Sequence, residues 1–188
     1  MTSNMHPHRS SASWGARAAW LAAFVLATAL FSAGLTCAVP LVAFAAICAL
    51  RQRRGQALLS IGLLWLGSEL IGFTLLKFPV GAVAFGWGAL VGAALLAATW
   101  AAGSVARRVP RTVGIVATFA TAFAVYESVL WAVSRIVGAA AGAFTSGILT
   151  QVLVLNAVTF AALLLVGALT TRAARGVPLL SKAHAQRS

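Results

Sequence analysis

Acidic side chains are almost absent from this chain of 188 residues, which contains two glutamates, no aspartate and 14 Lys+Arg. Charged residues make up 9% of the sequence, whereas soluble domains carry about 25%. Hydrophobic residues make up 61%, and the mean hydropathy is +0.96. These proportions exclude an ordinary water-soluble fold and predict an all-α protein embedded in a lipid bilayer.

Residues that bind metals or perform catalysis are equally scarce. Histidine occurs only at His6, His8 and His184, in the polar ends of the chain, and Cys37 and Cys48 lie in one apolar segment. No His/Cys/acid cluster has the spacing of a metal site, so neither a metal nor a cofactor is expected. The sequence has no G-x-x-x-x-G-K-[ST] loop for nucleotide phosphates and no intramembrane Ser–His pair. We therefore do not expect an enzyme.

Six apolar stretches approach the roughly 20 residues that an α-helix needs to cross a bilayer. The first two are joined in one run of 33 residues, 18–50, which is too long for a single crossing and which we expect to break near Gly34, with Pro40 following. The sequence predicts three segments: a disordered tail at 1–16, one six-helix membrane domain at 17–171 and a basic tail at 172–188. The six spans are the two parts of 18–50, then 58–76, 82–106, 112–137 and 148–170.

The basic residues predict how these spans are oriented. With six spans and both ends of the chain in the cytoplasm, Lys77 and Arg135 face outward and the other basic residues face inward. This agrees with the excess of Lys and Arg in the cytoplasmic loops of membrane proteins. The bacterial inner (plasma) membrane is the predicted location. The net charge of +12 lies in short clusters between spans, which argues against nucleic-acid binding. The inward-facing residues are Arg9, Arg17, Arg51, Arg53, Arg54, Arg107, Arg108, Arg111, Arg172, Arg175, Lys182 and Arg187.

A cleaved signal peptide is the alternative for the first span. Arg9 and Arg17 precede a short apolar run, and Ala27 and Ala29 form an A-x-A pattern typical of a cleavage site. Cleavage there would leave five spans and would not change the orientation of the later ones.

The two glutamates are the strongest functional candidates, because carboxylates inside membrane spans are costly and usually mark a site. Residues four apart share a helix face, which groups Trp65, Glu69 and Phe73, with Lys77 at the rim. Around Glu127, the same spacing selects Trp131 and Arg135, and Tyr126 is adjacent. Asn156 falls at a similar depth in the last span. This pattern predicts an outward-opening pocket lined by Trp65, Glu69, Phe73, Tyr126, Glu127, Trp131 and Asn156, with Lys77 and Arg135 at its rim.

A structural role is the alternative for each of these residues. A buried glutamate can act as a polar clamp between helices, and for Asn156 an interhelical hydrogen bond is the favoured interpretation. Gly88 and Gly92 form a GxxxG motif, which permits close approach of a second helix, from a partner or within the protein. Ala19, Ala23 and Ala27 form a small-residue stripe on the first span.

The size, the six predicted spans and this alanine stripe resemble the substrate-capturing S component of energy-coupling factor vitamin transporters. The resemblance implies that Ala19, Ala23 and Ala27 contact a transmembrane coupling subunit that works with ATPases, and that the pocket binds a vitamin. The turn near Gly34 is shorter than the ligand-capping loop of that family.

Three functions follow from these patterns. The first is binding or transport of a small nutrient, either vitamin-like or metal-containing. The second is a non-catalytic accessory or assembly subunit of a larger membrane complex. The third is an ion-coupled carrier that acts alone.

Overall fold

A computed structural model of the protein describes residues 40–138 and 144–176. The described residues are all-α, as the sequence predicts. The first predicted span and its alanine stripe lie outside them, as does the possible signal-peptide cleavage site. The five described helices correspond to the last five predicted spans: α1 Leu41–Arg51, α2 Arg54–Thr74, α3 Ala82–Ala106, α4 Arg111–Val137 and α5 Ser146–Gly176.

Four of these helices, α2 to α5, are long and apolar enough to cross a membrane, which fits a membrane protein. α1 has 11 residues and rises only about 16 Å, roughly half the thickness of a bilayer core. α5 continues to Gly176, several residues past the predicted end of the membrane domain.

Proline and glycine set several of the helix ends. Pro40 precedes α1, Pro110 precedes α4, and Gly138 ends α4 in the left-handed conformation with φ 67°. Glycine adopts that conformation without a steric penalty, which makes it a common residue after a helix end. Lys77, with φ 56°, adopts the same region in the turn between α2 and α3.

The short helix α1 forms the centre of the molecule. Every residue from Leu41 to Ala49 is buried, so α1 has no face left for lipid or water. It packs against all four long helices. Four of the 11 residues of α1 are alanine, and small side chains let the neighbouring backbones approach closely. Buried alanines on α3 and α4 meet it, including Ala98, Ala102 and Ala122.

The long helices pack around α1 in chain order. α3 packs against α2 and α4, and both of these also contact α1. α5 packs mainly on α1, and it meets α4 through Phe119 and Phe160, whose rings stack at 4.9 Å. The outward faces of the long helices expose large apolar side chains, as lipid-facing helices do. Examples are Leu59, Leu63, Leu66, Leu70, Val113, Val116, Val154, Val158, Leu165 and Leu169.

The antiparallel order of the helices separates the basic residues of the described region into two ends. The Arg54 side chain, at the start of α2, donates a 2.8 Å hydrogen bond to Ser104 near the end of α3. The guanidinium of Arg51 lies directly against Gly167 of α5. We call this the arginine-rich end. Lys77 and Arg135 lie at the ends of α2 and α4 that point away from it.

Candidate functional site

Glu69 and Trp65 lie on the face of α2 that packs against α3. The Trp65 indole N–H donates a 2.9 Å hydrogen bond to the Gly88 carbonyl oxygen. A Cβ atom added to Gly92 would come within 2.5 Å of the Trp65 ring, and one added to Gly88 would come within 2.7 Å of a Glu69 carboxylate oxygen. The GxxxG motif of α3 therefore receives the Trp65 and Glu69 side chains, so its close approach is internal to the protein.

The same contact continues toward the turn between α2 and α3. The Phe73 ring lies 4.9 Å from the ring of Phe85, at the start of α3, and 6.4 Å from that of Phe78. Phe78 also packs over Gly72. Lys77 is exposed. Trp65, Glu69 and Phe73 share one face, as their spacing predicts, and α3 covers that face.

Asn156 is 2% exposed and connects α5 to the start of α1. Its side-chain oxygen accepts a 3.1 Å hydrogen bond from the Ala43 backbone N–H, and its side-chain nitrogen donates a 2.9 Å bond to the Val152 carbonyl oxygen. The first amides of a helix have no partner within that helix. Pro40, the residue before α1, makes no side-chain cap. The Ala43 N–H also donates a 3.1 Å bond to the Pro40 carbonyl oxygen. Asn156 is thus a second acceptor for this amide, supplied by another helix, and makes the interhelical hydrogen bond favoured from the sequence.

Glu127 occupies a different environment on α4. Tyr126 packs against both parts of the buried core. Ala122 is fully buried, and Glu127 follows it by five residues, a rotation of about 140° away from the core direction. Glu127 is partly buried, and among the described residues no hydrogen bond or ion pair satisfies its carboxylate.

The Glu127 face of α4 turns toward α5. Phe123, one turn earlier on that face, stacks on Phe119 at 6.3 Å, and Phe119 in turn stacks on Phe160 of α5. Trp131, one turn later, is 53% exposed. Ser134 is buried and its hydroxyl donates to the Trp131 carbonyl oxygen, while Arg135 at the helix end is exposed. Glu127 and Trp131 therefore continue along the side of α4 on which Phe119 meets α5.

The structure does not join the two glutamates at a described contact. Glu69 packs on α3, whereas Glu127 lies on a face of α4 that turns away from the core. α2 and α4 each pack on α1 and on α3. The predicted residues thus form three groups: Trp65, Glu69 and Phe73 against α3, Asn156 against α1, and Tyr126, Glu127 and Trp131 along α4.

Other polar features of the described region were not predicted from the sequence. A cavity of about 560 Å³, open to the surface, lies at the arginine-rich end. From the sequence, the arginines of this end indicate only the orientation in the membrane. The Thr118 hydroxyl is fully buried without a hydrogen-bond partner. Threonine is common in apolar helices, so nothing in the sequence distinguishes Thr118. Within the described residues, no three His, Cys, Asp or Glu side chains are grouped to hold a metal ion.

Comparison of the chain with protein families, curated proteins and solved structures finds no match.

Proposed function

We propose that this chain is an integral membrane protein that binds a small organic molecule beside Glu127, on the side of α4 that meets α5. The observation that carries the proposal is the Glu127 carboxylate, which lies within an apolar helix, is partly buried and has no partner among the described residues. A carboxylate in that position needs a compensating group. A ligand bound beside Glu127 can supply it.

The side chains near Glu127 indicate the class of ligand. Trp131 is one helical turn away and exposes its ring. An aromatic face beside a carboxylate suits an organic cation or a protonated heteroaromatic ring, through ion pairing together with cation–π contact. We propose nutrient binding or transport as the role, with the arginine-rich end in the cytoplasm of a bacterial cell.

The proposed site is smaller than the one expected from the sequence. Glu69 and Trp65 are used in packing against Gly88 and Gly92, and Asn156 is used in a hydrogen bond to α1. These residues hold the helices together and do not contact the ligand. Glu127 and Trp131 bind it, with Tyr126 adjacent.

The test compares Glu127→Gln with Glu69→Gln in the purified full-length protein. The probes are organic cations, vitamin-like heteroaromatic compounds and vitamin–metal complexes, and the readouts are thermal stabilisation and binding affinity. Glu127→Gln should weaken binding by about tenfold or more, since a desolvated cation–π and charge pair contributes about 2 kcal/mol. It should remain as abundant in the membrane as the wild type.

Glu69→Gln serves as the matched control, because it makes the same change at a carboxylate packed against α3. It should retain ligand affinity. A protein that no probe stabilises, or a Glu127→Gln variant that binds like the wild type, would contradict the proposal.

A second function, an accessory subunit of a membrane complex, is favoured by a different observation. The Glu127 face could be covered by a helix of another protein, since Glu127 and Trp131 form a polar and aromatic strip on an otherwise apolar surface. A coupling subunit with ATPases, as the resemblance implies through Ala19, Ala23 and Ala27, is one such partner. In that case Glu127→Gln would break a co-purifying complex or reduce the protein level, and ligand probes would have no effect.

A further inference from the structure

A cavity of about 560 Å³, open to the surface, lies at the arginine-rich end of the bundle, well removed from Glu127. Its wall combines the end of α1, the start of α2 and the end of α3, with Arg51, Arg53, Arg54, Arg107 and Gln52 among the residues that line it. Ligand sites in proteins commonly have volumes of about 300–1,000 Å³. The cavity is large enough for a phosphate group with its glycerol ester.

One of these arginines is held in place by neighbouring groups, and a second lies beside α3. The Arg54 guanidinium donates a 2.8 Å hydrogen bond to the Ser104 hydroxyl and lies 4.8 Å from the centre of the Trp100 ring. The Arg107 guanidinium folds back over Gly103, where an added Cβ would be 3.3 Å from one of its nitrogens. Ordered guanidinium groups lose less entropy when they bind an anion.

No Asp or Glu side chain of this chain can neutralise the cavity. Glu69 follows Arg54 by 15 residues along α2, which places it about 22 Å away along the helix axis. Glu127 follows Arg111 by 16 residues along α4, about 24 Å. Guanidinium groups stay charged at every physiological pH. The like charges around the cavity therefore favour a bound anion from outside the chain.

We infer that this cavity binds the phosphate group of an anionic phospholipid. Arginine binds phosphate well because its planar N–H groups match two phosphate oxygens at once. The lipid source is favoured by the surface beside the cavity: Trp100 contacts Arg54, and Leu96, one turn earlier on α3, continues the same exposed apolar strip. A phosphate seated among the arginines would lay its acyl chain along this strip. Basic pockets between membrane helices are known to bind such headgroups.

The experiment measures lipid binding to the purified protein in neutral detergent. Phosphatidylglycerol, phosphatidylcholine and inorganic phosphate are compared by thermal shift, and lipids retained through purification are identified by mass spectrometry. Phosphatidylglycerol should be retained and should raise Tm, whereas phosphatidylcholine should do neither. Arg54→Gln/Arg107→Gln should lower the affinity for phosphatidylglycerol by about 30-fold, since each arginine near a lipid surface contributes about a fivefold preference.

The matched control is Lys77→Gln/Arg135→Gln, which removes the same charge from the other end of the bundle and should retain wild-type affinity. Equal binding by phosphatidylglycerol and phosphatidylcholine to the wild-type protein would overturn the inference without any variant. Stabilisation by inorganic phosphate with no retained phospholipid would assign the cavity to a soluble phosphate compound and overturn the lipid source. Equal loss of affinity in both double variants would show a general charge effect and would overturn the site.

Discussion

At the scale of single residues, polar groups in this protein serve different purposes that residue type alone does not distinguish. Asn156 and Glu127 are both strongly polar and both lie within apolar helices. Asn156 satisfies a backbone amide of α1 and its own helix. Glu127 has no such partner in the described region. The difference is in the direction of each side chain, which depends on how α4 and α5 rotate against α1.

Replacing Asn156 by alanine should destabilise the protein by about 1 kcal/mol, because the buried hydrogen bond between α5 and α1 would be lost while the Ala43 N–H keeps its bond to the Pro40 carbonyl oxygen. The measurement is thermal or denaturant unfolding in detergent. Gln151→Ala is the control, since Gln151 lies on the exposed surface of the same helix. Equal stability of the two variants would show that the hydrogen bond to α1 contributes nothing.

At the scale of helices, the contact between α2 and α3 joins two patterns that the sequence shows separately. The spacing of Trp65, Glu69 and Phe73 predicts that they share a face of α2, and the spacing of Gly88 and Gly92 predicts a close approach on α3. The sequence does not show that the side chains of Trp65 and Glu69 fill the space beside Gly88 and Gly92. That pairing depends on the relative height of two antiparallel helices, which the turn with Lys77 and Phe78 sets.

Gly92→Ala should destabilise the protein by about 1–3 kcal/mol, because the new methyl group would overlap the Trp65 ring and force the two helices apart. The control is Gly86→Ala on the same helix, where an added Cβ has no atom within 4 Å. Gly86→Ala should be neutral or stabilising, since alanine favours a helix over glycine by up to about 1 kcal/mol. Thermal unfolding of both variants checks the prediction, and a Gly92→Ala protein as stable as the wild type would show that the contact is loose.

At the scale of the whole molecule, the antiparallel order of four long helices brings the loops rich in arginine to one end. The sequence predicts this grouping through the positions of the basic residues between spans. It does not predict the cavity, because residues 49–54 and 106–107 belong to separate turns that meet only when α1 to α3 pack together.

The orientation in the membrane follows from this charge distribution. In a variant with Cys37 and Cys48 replaced by alanine, a membrane-impermeant thiol reagent added to intact cells should label Val80→Cys and leave Arg108→Cys unlabelled. Both positions are exposed and lie in turns at opposite ends of the bundle. Permeabilised cells should give labelling at both positions. Labelling of Arg108→Cys in intact cells would show that the protein has the opposite orientation to the one proposed.

The sequence by itself determined that the protein is helical and suited to a bilayer, and it located the four long helices closely. It did so because hydrophobic run length and charge placement act locally along the chain. Only the tertiary structure decided that α1 is a short, fully buried centre, that Glu69 packs on Gly88, and that arginines from three segments surround one cavity. These features depend on helix rotation and relative height, and many side chains far apart in the sequence set them together.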